Sequence, residues 1–311
     1  MIAAVTGATG YVGQFVVGRL LAEGVAVRAW HRGAVPPPLF PGVEWLAGNL
    51  RDAASIGRLV AGAGILVHCA LEHVPGRYRG GEGGDVAGFY EANLAGSVRL
   101  LQAAREAGVA RALVLSSRAA LGDSRPAGLL GDDAQPQPDS HYGAVKAALE
   151  AVVSAYGRGE GWPVAALRPT GIYGLVQPVE RSKWFGLVAA ALDGAAAPEP
   201  RAGSEVHGAD VAEAVWRIVT ADPALVAGRA FNCSDLAVDR ADLIGILEGL
   251  AGRPLARPAR APAPRIVMSC PGLAALGVVF GGRPRLEATV AELAAQVEAG
   301  GCRAGLRQRG A

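Results

Sequence analysis

Residues 141–150 read HYGAVKAALE, and within them Tyr142 and Lys146 stand four positions apart in a run of alanine and other strong helix formers. On a helix, an i, i+4 spacing puts both side chains on one face. A phenol with a pKa of about 10 is a poor base at neutral pH, and a neighbouring ammonium favours its phenolate. The pair is therefore suited to exchanging a proton with a substrate oxygen. Taken alone, the same two residues read equally as a first-turn aromatic and a solvated helix charge, so the elements around them decide between the readings.

A second constellation lies at the N-terminus. The stretch VTGATGYVGQFVVGRLL sets Gly7, Gly10 and Gly13 in a G-x-x-G-x-x-G spacing where a first strand ends and a helix begins. Gly7 permits a tight turn, Gly10 lets the backbone approach phosphates, and Gly13 allows close helix packing, while the helix N-terminus favours an anion. A dinucleotide pyrophosphate fits that combination. An acidic residue at the end of the second strand would bind the ribose hydroxyls of NAD. None is there. The strand VAVRAWHRG ends in His31 and Arg32, and a guanidinium suits the additional 2′-phosphate of NADP. Arg32 as a plain surface charge is the competing reading. In LAGNLRD, Asn49 and Leu50 could flank an adenine, with Asn49 equally a turn residue.

The elements that must position these residues alternate along the chain. IAAVTG, VAVRAWH, VEWLAG, ILVHCA, RALVLSS and VAALRPT read as strands, and VGQFVVGRLLAEG, AASIGRLVAGA, GFYEANLAGSVRLLQAAREAG and YGAVKAALEAVVSAYGRG have apolar residues at helical spacing. Such alternation, with strands apolar on both faces, predicts an α/β fold, a Rossmann-type doubly wound parallel sheet covered by helices. We expect a dinucleotide-binding domain over 1–171 and a smaller, mostly C-terminal substrate-binding region over 172–311, with 206–235 returning to the first. ADVAEAVWRIVTA and DRADLIGILEGLAG are helical, GRAFNCSD is strand-like, AAAPEPRAG and RPLARPARAPAPR are loops, and the polar tail from Arg303 is expected to fray.

Composition narrows the function. The 311 residues are 51% hydrophobic with a formal net charge of +2, which points away from nucleic acid and membrane surfaces and towards a small-molecule substrate. Cys69, Cys233, Cys270 and Cys302 show no CxxC spacing, so neither a disulfide framework nor a metal site is expected. With no apolar run of about 18 residues, the expected location is cytoplasmic.

The ordered motifs TGATGYVG, HCA, NLAGSVRLLQAA, VLSSRAALG, YGAVK, LRPTGIYG and VHGADVAEAV span most of the chain. With them the sequence resembles the extended short-chain dehydrogenase/reductase family, the NAD-dependent epimerase/dehydratase group. The resemblance implies a tyrosine, Tyr142, that exchanges a proton with the substrate oxygen while hydride passes between nicotinamide and carbon. It implies that Lys146 also holds the nicotinamide ribose and that Ser117, rather than Ser116, orients the substrate oxygen. Asn93 matches a helix asparagine that stabilises the active-site backbone or relays a proton, although it could instead bond only locally. The cofactor expected is NADP, with NAD open, held by Gly7, Thr9, Gly10, Tyr11, Val12, Gly13, His31, Arg32, Asn49, Leu50, Cys69, Ala70, Tyr142, Lys146, Pro169 and Thr170.

Departures from the family pattern bear on the substrate. Sugar-nucleotide 4,6-dehydratases carry an acidic pair after the serine motif, where this chain has Arg118, Ala119 and Ala120, and Leu121 replaces the usual tyrosine. Nucleotide-sugar epimerases carry an arginine just before the VHVDDVA-like motif. Here Gly203, Ser204 and Glu205 leave no cation in that stretch, although Arg201 is near. A small carbonyl or alcohol is favoured over a diphosphate-linked sugar. The segments GLVQPVERSKWFGLV and LEHVPGRYRGGEGGDVAG are expected to roof the pocket. In them His73, Tyr78, Arg181 and Lys183 are candidate substrate contacts or solvated surface residues, while His207 reads as a structural strand residue. The function expected is an NAD(P)-dependent oxidoreductase. The alternatives are a sugar or nucleotide-sugar epimerase with tightly held NAD, and a non-catalytic NADP-binding redox sensor, a class that often lacks the Y-x-x-x-K that this chain keeps. By resemblance, the two helices GFYEANLAGSVRLLQAAREAG and SHYGAVKAALEAVVSAYGRG pair with their copies in a homodimer. Size-exclusion chromatography with light scattering should give twice the 31.6 kDa chain mass, and a monomer alone would remove that expectation.

Overall fold

The structure is a computed structural model and describes residues 1–33, 37, 39–74, 76–77 and 80–308. The first half alternates β1 (Ile2–Thr6), α1 (Tyr11–Ala22), β2 (Ala26–His31), β3 (Glu44–Ala47), α2 (Ala53–Val60) and β4 (Ile65–His68). Next, α3 (Val86–Tyr90), a π-turn over Glu91–Ala95 and α4 (Gly96–Glu106) form one continuous helix that leads to β5 (Arg111–Leu115). There follow β6 (Gly128–Leu130), α5 (His141–Ser154) with a π-turn over Ala155–Gly159, β7 (Val164–Pro169) and β8 (Gly171–Tyr173). The remainder comprises α6 (Phe185–Leu192), β9 (Ala202–His207), α7 (Gly208–Thr220), α8 (Pro223–Val226), β10 (Ala230–Cys233), β11 (Leu236–Asp239), α9 (Arg240–Ala251), β12 (Ile266–Met268), α10 (Pro271–Ala275) and α11 (Gly282–Gln308).

The chain forms two compact units. The first comprises residues 1–170, 211–233 and 266–279. Its sheet has the order β10-β7-β5-β4-β1-β2-β3, and every neighbouring pair is parallel. Parallel strands need helical crossovers, so both faces are covered. Accordingly β4 and β7 are buried along their whole length. On one face Leu66, Val114 and Ala166 pack with Leu59, Leu100, Leu101, Leu149 and Trp162 in a continuous core. The Trp162 indole keeps its N–H satisfied by donating to the Val109 carbonyl at 2.7 Å. A separate parallel ribbon pairs β6 with β12.

The second unit comprises 171–210, 234–265 and 280–311. A three-stranded sheet of order β11-β9-β8 mixes an antiparallel and a parallel pair. Its core joins Tyr173 and Val188 to Leu243, Ile244 and Leu247 of α9 and Leu286, Val290 and Leu293 of α11. The region is more regular than its composition predicts. Ala202 and Gly203, expected in a loop, start β9, and the backbone from Arg303 to Gln308 continues α11. The proline-rich stretch 253–265 carries no helix or strand, as read from the sequence.

Close packing around α1 generates a test. A Cβ on Gly13 would lie 2.1 Å from the Gly7 carbonyl oxygen and 2.8 Å from Ala8 Cα, whereas a Cβ on Gly57 in α2 meets nothing within 4 Å. Gly13→Ala should therefore destabilise the fold by about 1–3 kcal/mol in urea titrations. Gly57→Ala should stabilise it by about 0.5–1 kcal/mol. Equal effects of the two would contradict the packing described.

Candidate active site

Because the seven strands of the first unit are parallel, their C-terminal ends open on one edge, and the strand order reverses between β1 and β4. Ligands of doubly wound sheets sit at that switch point. There Gly7 adopts φ 70°, and a Cβ on it would come within 2.7 Å of the Cys69 carbonyl carbon and the Ala70 nitrogen, so the turn after β1 presses on the turn after β4. The Ala70 N–H donates to Thr6 Oγ1 at 3.2 Å and fixes that contact. Gly10 donates to the Gly7 carbonyl at 2.9 Å and begins α1. No side chain caps α1 and no acid stands in its first turn, whereas Asp52, Ser140 and Asp239 cap α2, α5 and α9. Thr9 lies in the same turn, and Tyr11 and Val12 open α1. A pyrophosphate fits this turn, because a side-chain oxygen or carboxylate would otherwise compete for the same donors.

At the end of β2, His31 is buried with its ring edge-on to Trp45, centroids 6.5 Å apart, and its Nδ1 has no hydrogen-bond partner among the described residues. Arg32 is exposed and has no ion-pair partner among the described residues. Arg28, inside the strand, is engaged: it donates to Glu44 at 2.8 Å and to the Ala61 carbonyl at 2.5 Å. Asn49 Oδ1 accepts from the Arg51 N–H at 2.8 Å, which fills the turn role. Leu50 is buried in the core cluster under α4, where a Cβ on Gly96 would lie 2.8 Å from it.

Helix α5 brings Tyr142 and Lys146 to the end of β5. Lys146 is only 4% exposed, and its Nζ donates to the Leu115 carbonyl at 2.6 Å and lies 5.9 Å from the centre of the Tyr142 ring. Burial pulls the Lys146 ammonium down to about 8, opposed by Cys69 and Glu150. Two residues beyond Leu115, Ser117 is half-buried and its hydroxyl accepts from the Ala119 N–H at 3.1 Å, capping a short 3-10 turn. Ser116 points the other way. It is buried, and its hydroxyl donates to Glu150 at 2.5 Å. At the end of β7, Pro169 is followed by Thr170, whose N–H donates to the Cys233 carbonyl at 3.0 Å and whose buried Oγ1 has no partner among the described residues.

Asn93 lies in the π-turn, a helix irregularity common at functional sites. Its Oδ1 accepts from the Glu72 N–H at 2.7 Å and its Nδ2 donates to the Glu72 and Phe89 carbonyls at 2.8 and 2.9 Å. Both ends of the amide thus hold the loop that follows β4. Beside it, Ser97 donates to the Asn93 carbonyl and meets His68 Nε2 at 2.7 Å, while His68 Nδ1 meets Thr6 Oγ1 at 2.7 Å. Burial and the Lys146 charge push His68 down to about 3, so it stays neutral and acts as a tie between β1, β4 and α4. Nothing in the local sequence marks that tie beyond the polar residues themselves.

In the second unit, Lys183 is not an unmatched cation. It pairs with Glu205, which is 8% exposed, and lies 5.3 Å from the Trp184 ring centre. Arg181 is exposed in a 3-10 turn. His207 ends β9, packs 5.0 Å from Tyr173 centroid to centroid and accepts from the Ala209 N–H at 3.1 Å. Burial and Arg285 push His207 down to about 4. In the loop after β4, His73 is half-buried with Nδ1 2.8 Å from the Val74 carbonyl oxygen, and Tyr78 lies outside the described residues. Among the described residues no His, Cys, Asp and Glu group could hold a metal, and no helix is long and apolar enough to cross a membrane.

A glycine-lined anion cradle at the switch point of a doubly wound sheet defines a dinucleotide-binding α/β protein. The family model for the NAD dependent epimerase/dehydratase family matches residues 3–234, and the chain belongs to that family. Among curated relatives, it is 32% identical over 175 residues to a 4-hydroxy-2-methyl-3-oxo-4-farnesyl-3,4-dihydroquinoline-1-oxide ketoreductase of Stigmatella aurantiaca, covering 55% of this chain and 50% of that protein. It is 32% identical over 181 residues to a 3 beta-hydroxysteroid dehydrogenase/Delta 5-->4-isomerase of Mycobacterium tuberculosis, covering 55% and 46%. The match thus spans about half the length of these relatives. Among solved structures, the UDP-glucose 4-epimerase of Thermus thermophilus in complex with NAD superposes with a TM-score of 0.75 at 24% identity, covering 94% of this chain and 99% of that one. That likeness is one of fold.

The buried ammonium predicts a pH dependence. With its folded pKa at about 8 and its ordinary value at 10.5, Lys146 weakens the fold below about pH 8, and this penalty fades as pH rises towards 10.5, where the unfolded chain also loses the proton. In urea titrations from pH 7 to 10, wild type should therefore gain on Lys146→Met by up to about 3 kcal/mol. A difference independent of pH would contradict the burial of a charged Lys146.

Proposed function

We propose that the chain is an NADP-dependent oxidoreductase acting on a small carbonyl or alcohol. The observation that carries this reading is the placement of Lys146: its ammonium is fixed on the Leu115 carbonyl, beside the Tyr142 ring and two residues before Ser117. When bound, a nicotinamide cofactor supplies or accepts the hydride at the substrate carbon. The remaining work falls to the side chains. Tyr142 passes its phenolic proton to the substrate oxygen, Lys146 offsets the negative charge left on the ring, and the Ser117 hydroxyl donates to the same oxygen and orients it. Asn93 keeps the loop after β4 in place. The glycine cradle with Cys69 and Ala70 would hold the pyrophosphate side, and Pro169 and Thr170 the nicotinamide side.

NADP is favoured by the exposed Arg32 and by the lack of an acid at the end of β2. Net oxidoreduction is supported by the likeness to the ketoreductase and the hydroxysteroid dehydrogenase. A diphosphate-linked sugar is disfavoured, because an acid, Glu205, stands in the stretch where an arginine would be needed and is matched to Lys183. By the same reading the chain works in the cytoplasm as a homodimer through α4 and α5, with small exposed residues such as Ala151 in α5 and Ala155 in the π-turn after it.

Fluorescence titration with NADPH and NADH, followed by a panel of carbonyl substrates, tests the proposal. Tyr142→Phe should lower kcat by about 100-fold or more, a far larger effect than any on the NADPH Kd. Arg32→Ala should weaken NADPH by about tenfold and NADH little. Equal NADPH oxidation by wild type and Tyr142→Phe would exclude Tyr142 as the proton donor, and tighter NADH than NADPH binding would exclude Arg32 as a phosphate ligand.

A further inference from the structure

Helix α5 carries a third polar residue on the face of Tyr142 and Lys146. Glu150 follows Lys146 by four positions, and it is 7% exposed. Its carboxylate is gripped by the Arg168 fork from β7, with Nε at 2.9 Å from one oxygen and Nη2 at 2.7 Å from the other. The first of those oxygens also accepts the Ser116 hydroxyl at 2.5 Å. Arg168 is 3% exposed and is itself fixed: its Nη1 donates to the Asp132 carbonyl at 3.1 Å, and the Asp132 carboxylate accepts the N–H groups of Asn232 at 2.6 Å and Gly272 at 2.9 Å. One buried ion pair therefore ties α5, β5 and β7 together, and the loop after β6 holds it from behind.

Stability is a weak reason for such a pair. Taking two charges out of water is expensive, and a well-packed apolar pair of similar volume often serves as well or better, whereas losing one partner leaves an uncompensated charge. What the pair does supply is direction. Lys146 grips the carbonyl of Leu115 and Glu150 grips the hydroxyl of Ser116, so α5 holds two successive residues of β5 immediately before Ser117. With both held, the backbone that leaves the strand has little freedom in where it presents Ser117. The bidentate fork sets the place of the Glu150 carboxylate in turn.

We infer that Glu150 and Arg168 are positioning residues that act through Ser116, setting Ser117 against Tyr142 and Lys146 while remaining out of reach of any ligand themselves. The inference rests on reading Ser117, Tyr142 and Lys146 as the reacting group. It adds that the strand-end serine which does not face the substrate also bears on the reaction, through the placement of the one that does.

The test uses the full chain with Glu150→Met and Arg168→Met singly and together, and Ser116→Ala, which removes only the hydroxyl and leaves the ion pair intact. Melting temperature, NADPH Kd, kcat on a carbonyl that wild type reduces, and hydrogen exchange of the amides of 115–121 by mass spectrometry are read for each. The single Met variants should melt low, and the double variant should melt near wild type with an unchanged NADPH Kd. In the double variant the amides of 115–121 should exchange roughly tenfold faster, and kcat should fall by about 10- to 100-fold. Ser116→Ala should show the same pattern more weakly, and it decides the matter if the double variant does not fold. Wild-type exchange and wild-type kcat in a folded double variant, or in Ser116→Ala, would overturn the inference. Were wild type to reduce no carbonyl, the oxidoreductase reading would fall, and the exchange rates would still decide whether the ion pair places the strand end.

Discussion

An ammonium buried in a protein interior demands a partner that cannot move away, and Lys146 finds one in the main chain of β5. The 2.6 Å bond to the Leu115 carbonyl ties a side chain of α5 to the central sheet at the point where the strand ends. Much of the site depends on it. The surroundings leave the charge without a rigid counter-ion of its own, since His68 is held neutral, Cys69 is a thiol, and Glu150 is already matched to Arg168. Desolvation therefore dominates, and the ammonium is held close to its release point rather than far below it. A lysine in that condition is responsive to the charge of a neighbouring phenol.

The sheet supplies the other half of the arrangement. Because the neighbouring strands of the seven-stranded sheet run parallel, the turns after β1, β4, β5 and β7 emerge on one edge, and main-chain bonds tie several of them to an adjacent strand end. Cys69 N–H donates to the Thr6 carbonyl at 3.2 Å, Ser116 N–H to the Leu167 carbonyl at 2.7 Å, and Thr170 N–H to the Cys233 carbonyl at 3.0 Å. The backbone beneath these turns is thus hydrogen-bonded up to the ends of the strands. The same edge joins the glycine turn to the start of α5.

The parts legible in the sequence are those whose physics is local. Continuous apolar runs such as ILVH and VAALRP reveal strands buried on both faces, the glycine triplet reveals a turn without room for Cβ atoms, and the i, i+4 spacing reveals one helix face. Ser117 and Ser116 could be told apart only through the family motif, and the difference is plain in space: one hydroxyl faces the turn, the other the Glu150 carboxylate. Glu150 itself carried a signal, four residues after Lys146, but its meaning depends on Arg168, eighteen residues further on and on strand β7. Lys183 read as a possible substrate cation because the pairing that brings Glu205 to it is tertiary. The strands β8 and β11, three and four residues long, are too short to show a period, and α11 hid behind Gly282 and Pro284 although Leu286, Val290, Leu293 and Ala294 keep helical spacing.

The central claim is that this constellation moves a proton through Tyr142 while a hydride is exchanged in net reaction with free cofactor. Incubation of the chain with a reducible ketone and NADPH carrying deuterium at both C4 positions tests it directly. One deuterium on the carbinol carbon of the product, formed in step with NADPH oxidation and lost in Tyr142→Phe, is the predicted result. Product formed without label, or a substrate isomerised without consumption of NADPH, would contradict it.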